Sequence, residues 1–130
     1  MINLYINERR AGDVTILDLK GRVRIGGGTV ALHGAIRCLV TEGKTKILLN
    51  LADVTHIDSS GLGELIASSI TLGKQGGEIK LVHLTESLRD LMIITKLLTV
   101  FEVYDDEQEV LATFSSQVSE PQLVISEKVA

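Results

Sequence analysis

The feature that most constrains the fold is a change of hydrophobic period along the chain. Near the N-terminus, Ile2, Leu4 and Ile6 alternate with polar or amphipathic residues, which predicts a strand with one buried face. Gly12-Asp13 breaks this pattern, and residues Val14 to Lys20 predict a second strand. Because the connection is short, we expect the two strands to form an antiparallel hairpin.

After this hairpin, helical and strand patterns alternate. Gly21 to Gly28 reads as an irregular segment, with Gly26-Gly27-Gly28 as a hinge or turn. The elements expected next are a helix capped by Thr29 and closed by Gly43, a strand at Ile47–Leu51, a helix from Ser60 to about Gln75, a strand at Ile79–Leu84, a helix from Thr85 to about Leu98, a strand at Phe101–Tyr104 and a helix at Glu107–Phe114.

This order predicts a single α/β domain over residues 1–116. Single helices between strands imply right-handed crossovers, so we expect a mixed, mostly parallel sheet of four to five strands with about four helices packed against it. The run Ile47–Leu51 is almost continuously apolar, which is typical of a strand covered on both faces. Residues 117–130 are expected to be an added, mobile tail.

Composition excludes several classes of function. The 130 residues carry 17 acidic and 13 basic side chains, a net charge of -4, and the basic residues are scattered, so we expect no nucleic-acid footprint. No apolar run is long enough for a membrane span, so no membrane insertion is expected. One cysteine excludes a disulfide framework, and we expect a cytoplasmic protein. We also expect Cys38 to be a small buried residue of the first helix.

Three short motifs that suggest catalysis or ligand binding fail on inspection. Gly43-Lys44-Thr45 resembles the end of a phosphate-binding loop, but Cys38 stands where that loop requires glycine. Ser59-Ser60-Gly61 lacks the preceding glycine of a hydrolase nucleophile elbow. The three histidines, His33, His56 and His83, show no ligand spacing. The sequence therefore predicts no enzyme activity, no metal site and no cofactor.

The segment between the central strand and the second helix is the best candidate for a functional site. Asp58, Ser59 and Ser60 are three consecutive residues that can cap a helix, although capping needs only one of them. A spare hydroxyl here lies at the carboxyl end of a parallel strand and at a helix N-terminus, which tolerates a phosphate. Phosphorylation would add about -1.5 to -2 charge. This arrangement suits a switch.

The second helix also has a face of small residues, formed by Gly63, Ala67, Ser68 and Thr71 at spacings of three and four. Such a flat face permits close docking of a partner protein. It can equally pack against another element of the same domain, and the pattern does not separate the two possibilities.

These residues carry a resemblance to a known family. The segment Ile47 to Gly63, with its core Asp58-Ser59-Ser60-Gly61-Leu62-Gly63, resembles the anti-sigma factor antagonists, single-domain members of the STAS superfamily. The resemblance extends to Asp18–Val23, to Gly76–Leu84 and to Leu91–Tyr104, and covers roughly residues 1–115.

The resemblance implies partner switching. In that family the unphosphorylated antagonist binds an anti-sigma factor that is also a serine kinase, and phosphorylation releases it until a serine phosphatase restores the serine. Transferred to this sequence, the phosphoacceptor is Ser60, with Ser59 as the second choice. The resemblance implies that Asp58, Ser59, Gly61, Leu62 and Gly63 surround Ser60 in the partner-binding site. Three further residues complete the predicted partner-binding set on grounds of their own: Ala67 of the small-residue face, and Arg22 and Arg24 of the loop expected to flank the serine.

The sequence departs from the family pattern after the second strand, where Arg22 and Arg24 replace the usual acidic and polar residues. The arginines can receive a phosphate through charge-assisted hydrogen bonds or be solvated surface cations. Alternative functions are a STAS scaffold subunit of a signalling assembly and the STAS subunit of a membrane lipid transporter, because the third helix is unusually apolar. An enzyme with Ser60 as nucleophile and His56 as base is the weakest alternative.

Overall fold

The computed structural model describes residues 4–114, which form one five-stranded sheet and its helices. The strands are β1 (Leu4–Ala11), β2 (Val14–Val23), β3 (Lys46–Ile57), β4 (Glu78–Val82) and β5 (Val103–Tyr104). The helices are α1 (Gly27–Thr41), α2 (Ser59–Lys74), α3 (Glu86–Ile94) and α4 (Glu107–Leu111), with a 3-10 turn at Leu97–Thr99. The predicted tail, residues 117–130, lies outside the described residues.

The strands lie side by side in chain order. β1 pairs with β2 antiparallel, and every later neighbour pair is parallel. The predicted hairpin and the mixed, mostly parallel sheet are therefore confirmed. Single-helix crossovers place the starts of α1 and α2 at the carboxyl ends of β2 and β3, which is the edge where α/β folds carry their sites.

Two hydrophobic clusters cover the two faces of the sheet. The larger cluster joins the sheet to α1, α2 and α3, and includes Leu32, Leu49 and Leu65. The smaller cluster packs Val110 of α4 against Leu48 and its neighbours. Ile47, Leu48 and Leu49 are each fully buried, so the prediction that this strand is covered on both faces is confirmed.

Of the segment predicted as a hinge or turn, Gly26 lies in a turn while Gly27 and Gly28 begin the helix, and Thr29 is not the cap. Gly26 caps α1 with φ +95°, and the helix begins at Gly27. Gly28 is buried because its backbone lies directly against the Arg22 carbonyl oxygen, where a Cβ would clash. The glycines therefore let the helix start close to β2, a requirement set by packing and not by local flexibility.

Other differences concern length and exposure. β3 runs on to Ile57 instead of ending at Leu51, because its pairing with β2 continues through two irregularities in register. On the helices, Cys38 is exposed although it was expected to be buried, and the apolar spacing of α2, which predicts an inward-facing Ile70, is also wrong there because Ile70 is 55% exposed. Each of these side chains points away from the sheet, since the helix faces that pack are centred on other residues (Leu32, Ile36 and Leu39 in α1; Leu62, Leu65 and Leu72 in α2).

Candidate functional site at the start of α2

Asp58 is the structural centre of the predicted serine motif. It caps α2, and its Oδ1 accepts a hydrogen bond of 2.8 Å from the backbone N–H of Gly61. Its Oδ2 accepts a second bond of 3.0 Å from the backbone N–H of Ile25, in the loop between β2 and α1. These two bonds, that from Ile25 first, lower the pKa of Asp58 because they stabilise the carboxylate.

Because Asp58 does the capping, the two serine hydroxyls are spare. Neither Ser59 nor Ser60 donates or accepts a side-chain hydrogen bond within residues 4–114. Ser59 is exposed and Ser60 is half-buried in the first turn of the helix. The turn therefore presents two unengaged hydroxyls beside a helix N-terminus, where partial positive charge favours an added anion.

The next two residues of the motif hold the helix against the sheet. A Cβ at Gly61 would clash with the Val23 carbonyl oxygen and would lie 2.6 Å from the Ile57 Cγ1. Leu62 is 6% exposed and belongs to the main core. Gly61 and Leu62 thus position the serines and offer little surface of their own to a partner.

The small-residue face of α2 is only partly a free surface. Gly63, Ala67 and Thr71 are exposed, and nothing lies within 4 Å of a Cβ built at Gly63. Ser68, which the sequence placed on the same face, is 3% exposed, and its hydroxyl donates to Glu64 Oε2 at 3.1 Å. The helix therefore turns part of this face toward α1 and leaves the rest open.

The two arginines lie on the loop that reaches the serine motif. Arg22 and Arg24 are exposed, and neither forms an ion pair with a residue in the described range. The bond from Ile25 to Asp58 and a 3.4 Å bond from the Asp58 N–H to the Val23 carbonyl join this loop to the start of α2. These two bonds hold the basic loop beside the start of the serine motif.

Sequence reasoning missed a polar cluster between α1 and α2. Glu64 Oε2 lies 3.0 Å from His33 Nδ1 and also accepts the hydrogen bond from Ser68. These residues line a groove of about 250 Å³ that also includes Ala67 and Thr71. No local pattern predicts it, because the two helices meet only in the folded chain.

Two classes of site are not seen in the part of the chain that the structure covers. Within residues 4–114, no three histidine, cysteine or acidic side chains are placed to hold a metal ion. No helix in that range has both the length and the apolar character needed to cross a membrane.

The sequence matches a known family of domains. The profile of the STAS domain family matches residues 5–110. The chain belongs to the STAS domain family. Over 64 residues it is 40% identical to the anti-sigma-B factor antagonist of Bacillus subtilis, a match that spans 49% of this chain and only 59% of that relative.

Solved structures share the STAS fold. An anti-sigma factor antagonist from Mycobacterium paratuberculosis superposes with a TM-score of 0.73 at 23% identity, covering 85% of this chain and 93% of the other. The Bacillus cell fate determinant SpoIIAA in its phosphorylated form gives a TM-score of 0.66 at 17% identity, covering 83% and 97%. At these identities the likeness establishes the architecture, which agrees with the predicted α/β fold.

Proposed function

We propose that this STAS domain is an anti-sigma factor antagonist. It binds an anti-sigma factor with serine kinase activity in the cytoplasm, is released by phosphorylation of Ser60, and is restored by a serine phosphatase. It has no catalytic activity of its own. The match to the anti-sigma-B factor antagonist of Bacillus subtilis supports this assignment, as does the phosphorylated form known for SpoIIAA.

One observation carries the proposal: Asp58 caps α2, whereas the Ser59 and Ser60 hydroxyls form no side-chain hydrogen bond within residues 4–114. Asp58 supplies both hydrogen bonds that the local structure needs, so the Ser60 hydroxyl is not required for folding. A phosphoryl group on Ser60 therefore leaves the helix start intact while adding about -1.5 to -2 charge there.

The added charge has a defined electrostatic neighbourhood. The Asp58 carboxylate, two residues before Ser60, has a lowered pKa and is ionised at neutral pH. In a desolvated interface the phosphate would repel both this carboxylate and any acidic group of the partner. Since every 1.4 kcal/mol changes affinity about tenfold, a loss of a few kcal/mol is enough to release the complex.

Ser60 is preferred over Ser59 because the family motif places the phosphoacceptor at its second serine. Ser60 is half-buried in the first turn of α2, so a phosphate added there would lie beside the helix N-terminus, whereas Ser59 is exposed. We propose that the exposed Ser59, Gly63 and Ala67 form part of the surface that the anti-sigma factor covers. Arg22 and Arg24, unpaired within the described range, would lie at its margin.

The test uses the full chain as bait in a lysate of its own organism, with ATP added and bound proteins identified by mass spectrometry. Wild-type protein should capture a histidine-kinase-like ATPase and gain one phosphoryl group. Ser60→Ala should capture the same ATPase without being modified, and Ser60→Asp should capture little of it. Ser59→Ala is the matched control and should be phosphorylated like the wild type. Equal capture by Ser60→Ala and Ser60→Asp would exclude the switch.

A second candidate function is a STAS subunit of a larger assembly, as a signalling scaffold or beside a membrane lipid transporter. The observation that favours it is a group of exposed apolar side chains at the end of α3 and in the segment after it. Ile93 is 54% exposed, Ile94 77% and Val100 56%. Capture of other STAS chains or of transporter subunits in the same experiment would support this alternative.

A further inference from the structure

A second surface, distinct from the exposed face of α2, lies along the last residues of β3, next to Asp58. β3 extends well past its neighbour β4: the last β3–β4 pair is Asn50 with Val82, whereas β3 continues pairing with β2 as far as Ile57. No described strand lies beside residues 53–57 on the β4 side. Residues 53–57 of β3 therefore form a free strand edge. β3 is an interior strand of the sheet, but this part of it has no described strand on the β4 side.

The free edge forms one wall of a cleft. After β4 the chain turns at His83, with φ +60°, and enters α3, so the helix leaves the sheet where β3 continues. A cleft of about 330 Å³ remains between residues 54–58 and the first turns of α3. This volume is at the lower end of the range of ligand pockets, about 300–1,000 Å³.

The lining of the cleft combines an apolar floor with polar ends. Val54 and Leu88 are buried in the main core and form the floor, and Leu91 extends it along α3. Exposed Ser87 stands on the helix side. A strand edge facing a helix across an apolar floor is the arrangement in which domains bind an extended peptide as an additional strand.

The backbone hydrogen bonds of this edge also favour the binding of an extended peptide. Within the described residues, the backbone of positions 53–57 pairs only with β2, and the Thr55 hydroxyl also donates to the Gly21 carbonyl on that side. The backbone groups that face the cleft can therefore pair with an incoming chain. A shift in register near Thr55 bends this edge, which limits pairing to a short segment and disfavours edge-to-edge aggregation.

The charges select the chemistry of the occupant. Arg24 lies at the rim and forms no ion pair with a described residue. The one carboxylate of the lining, Asp58, already accepts hydrogen bonds from two backbone N–H groups. Asp58 keeps its negative charge, so an acidic side chain of the incoming segment is favoured only where it pairs with Arg24 at the rim.

We propose that the cleft between residues 53–57 of β3 and α3 binds a short extended segment of a partner protein. The segment adds as a strand to the free edge, places an apolar side chain over Leu88 and Leu91, and places an acidic side chain near Arg24. This interaction goes beyond the proposed function and does not require modification of Ser60.

The test is selection from a phage-displayed library of random nonapeptides on the full-length protein. Enriched peptides should combine alternating apolar residues with an acidic residue. Synthetic versions should shift the amide NMR signals of residues 53–57 and of α3. Their affinity should fall at least about tenfold when alternate backbone nitrogens are methylated, because methylation removes the donors that pair with the strand.

Two neighbouring substitutions give a matched control. Ser87→Trp fills the cleft and should weaken binding at least about tenfold, whereas Glu86→Trp lies on the same exposed turn outside the lining and should leave binding unchanged. Arg24→Glu should select against acidic peptides. Absence of enrichment, equal binding by Ser87→Trp, or insensitivity to backbone methylation would each overturn the proposal. Ser60→Ala should bind these peptides normally, which separates this result from the fate of the phosphorylation switch.

Discussion

The Asp58 carboxylate accepts a 3.0 Å hydrogen bond from the backbone N–H of Ile25, and thereby ties the basic loop to the start of α2. The same carboxylate caps α2 through Gly61. One side chain therefore determines both the position of the loop and the position of the two serines. Its two oxygens have separate tasks, which makes their effects separable by substitution.

Asp58→Asn should keep the cap and lose the loop contact, since asparagine also caps helices well but has only one acceptor oxygen. Asp58→Ala should lose both and have the lower denaturation midpoint. Hydrogen exchange measured by NMR checks this: the Ile25 amide should exchange faster in both variants, and the Gly61 amide faster only in Asp58→Ala. Unchanged protection of Ile25 in Asp58→Asn would contradict the assignment.

Gly61→Ala should destabilise the protein by about 1–3 kcal/mol, because the new Cβ meets the Val23 carbonyl, a backbone group that cannot move aside alone. Gly63→Ala is the matched control two residues later. Its Cβ enters open space, so it should stabilise the helix by up to about 1 kcal/mol. Urea denaturation of both variants measures the difference. The prediction fails if the two substitutions change stability in the same direction.

Asp18 should contribute to the acid sensitivity of the fold. Arg9, then Asn50 and Asn7, donate hydrogen bonds to it and lower its pKa from 3.8 to about 2. Because the folded pKa is the lower one, this stabilisation is present above about pH 4 and is lost as the pH falls toward 2. With its side chain 26% exposed, the effect is on the order of 1 kcal/mol.

Urea denaturation between pH 2 and pH 7 checks the Asp18 prediction. Asp18→Asn should lower stability at neutral pH and flatten the decline on the acid side. Asp53→Asn removes an exposed carboxylate that forms no side-chain hydrogen bond or ion pair within residues 4–114, and should leave the shape of the curve unchanged. Parallel curves for Asp18→Asn and the wild type would show that Asp18 is not responsible.

Lys80→Met should loosen α4. Lys80 is 4% exposed, and its Nζ donates to the Thr113 carbonyl and hydroxyl and lies 5.0 Å from the centroid of the Phe114 ring. Methionine fills the space but removes the donor to the Thr113 carbonyl and the ion pair with Glu102 at 3.2 Å, a loss of about 1–3 kcal/mol. Hydrogen exchange should accelerate in α4 more than in α1. The control Lys74→Met, at an exposed position of α2, should not change hydrogen exchange in either helix.

Much of the fold follows from the hydrophobic periodicity of the sequence and from the glycines that end its helices. Alternation at Leu4 and Ile6, the apolar run Ile47–Leu51 and the glycines after α1 and α2 place most elements within a few residues. The errors arise where a residue's role depends on something distant in sequence. Thr29 has good capping chemistry, but the helix begins earlier because Gly28 must lie against Arg22. Cys38 sits near buried residues in sequence but points to solvent.

For the candidate site too, the sequence predicts some features, and only the tertiary contacts show the others. Three adjacent capping residues were visible in the sequence, but only the contacts show that Asp58 caps and that the serine hydroxyls are spare. The spacing of Ser68 left open whether its face is free or packed, and the structure shows it buried, with its hydroxyl donating to Glu64. Helical spacing indicates which residues share a face, whereas the neighbouring helix decides how much of that face stays open.

The amino-acid sequence by itself determined the order of strands and helices, the α/β class and the location of the serine motif, because these depend on local periodicity and on the chemistry of adjacent residues. Only the tertiary structure decided that β3 extends past the end of β4 and that α1 and α2 enclose a groove. It also decided which side chain of the motif caps the helix. Each of these depends on backbone and side-chain contacts between segments distant in the chain, and such contacts leave no periodic signal in either segment.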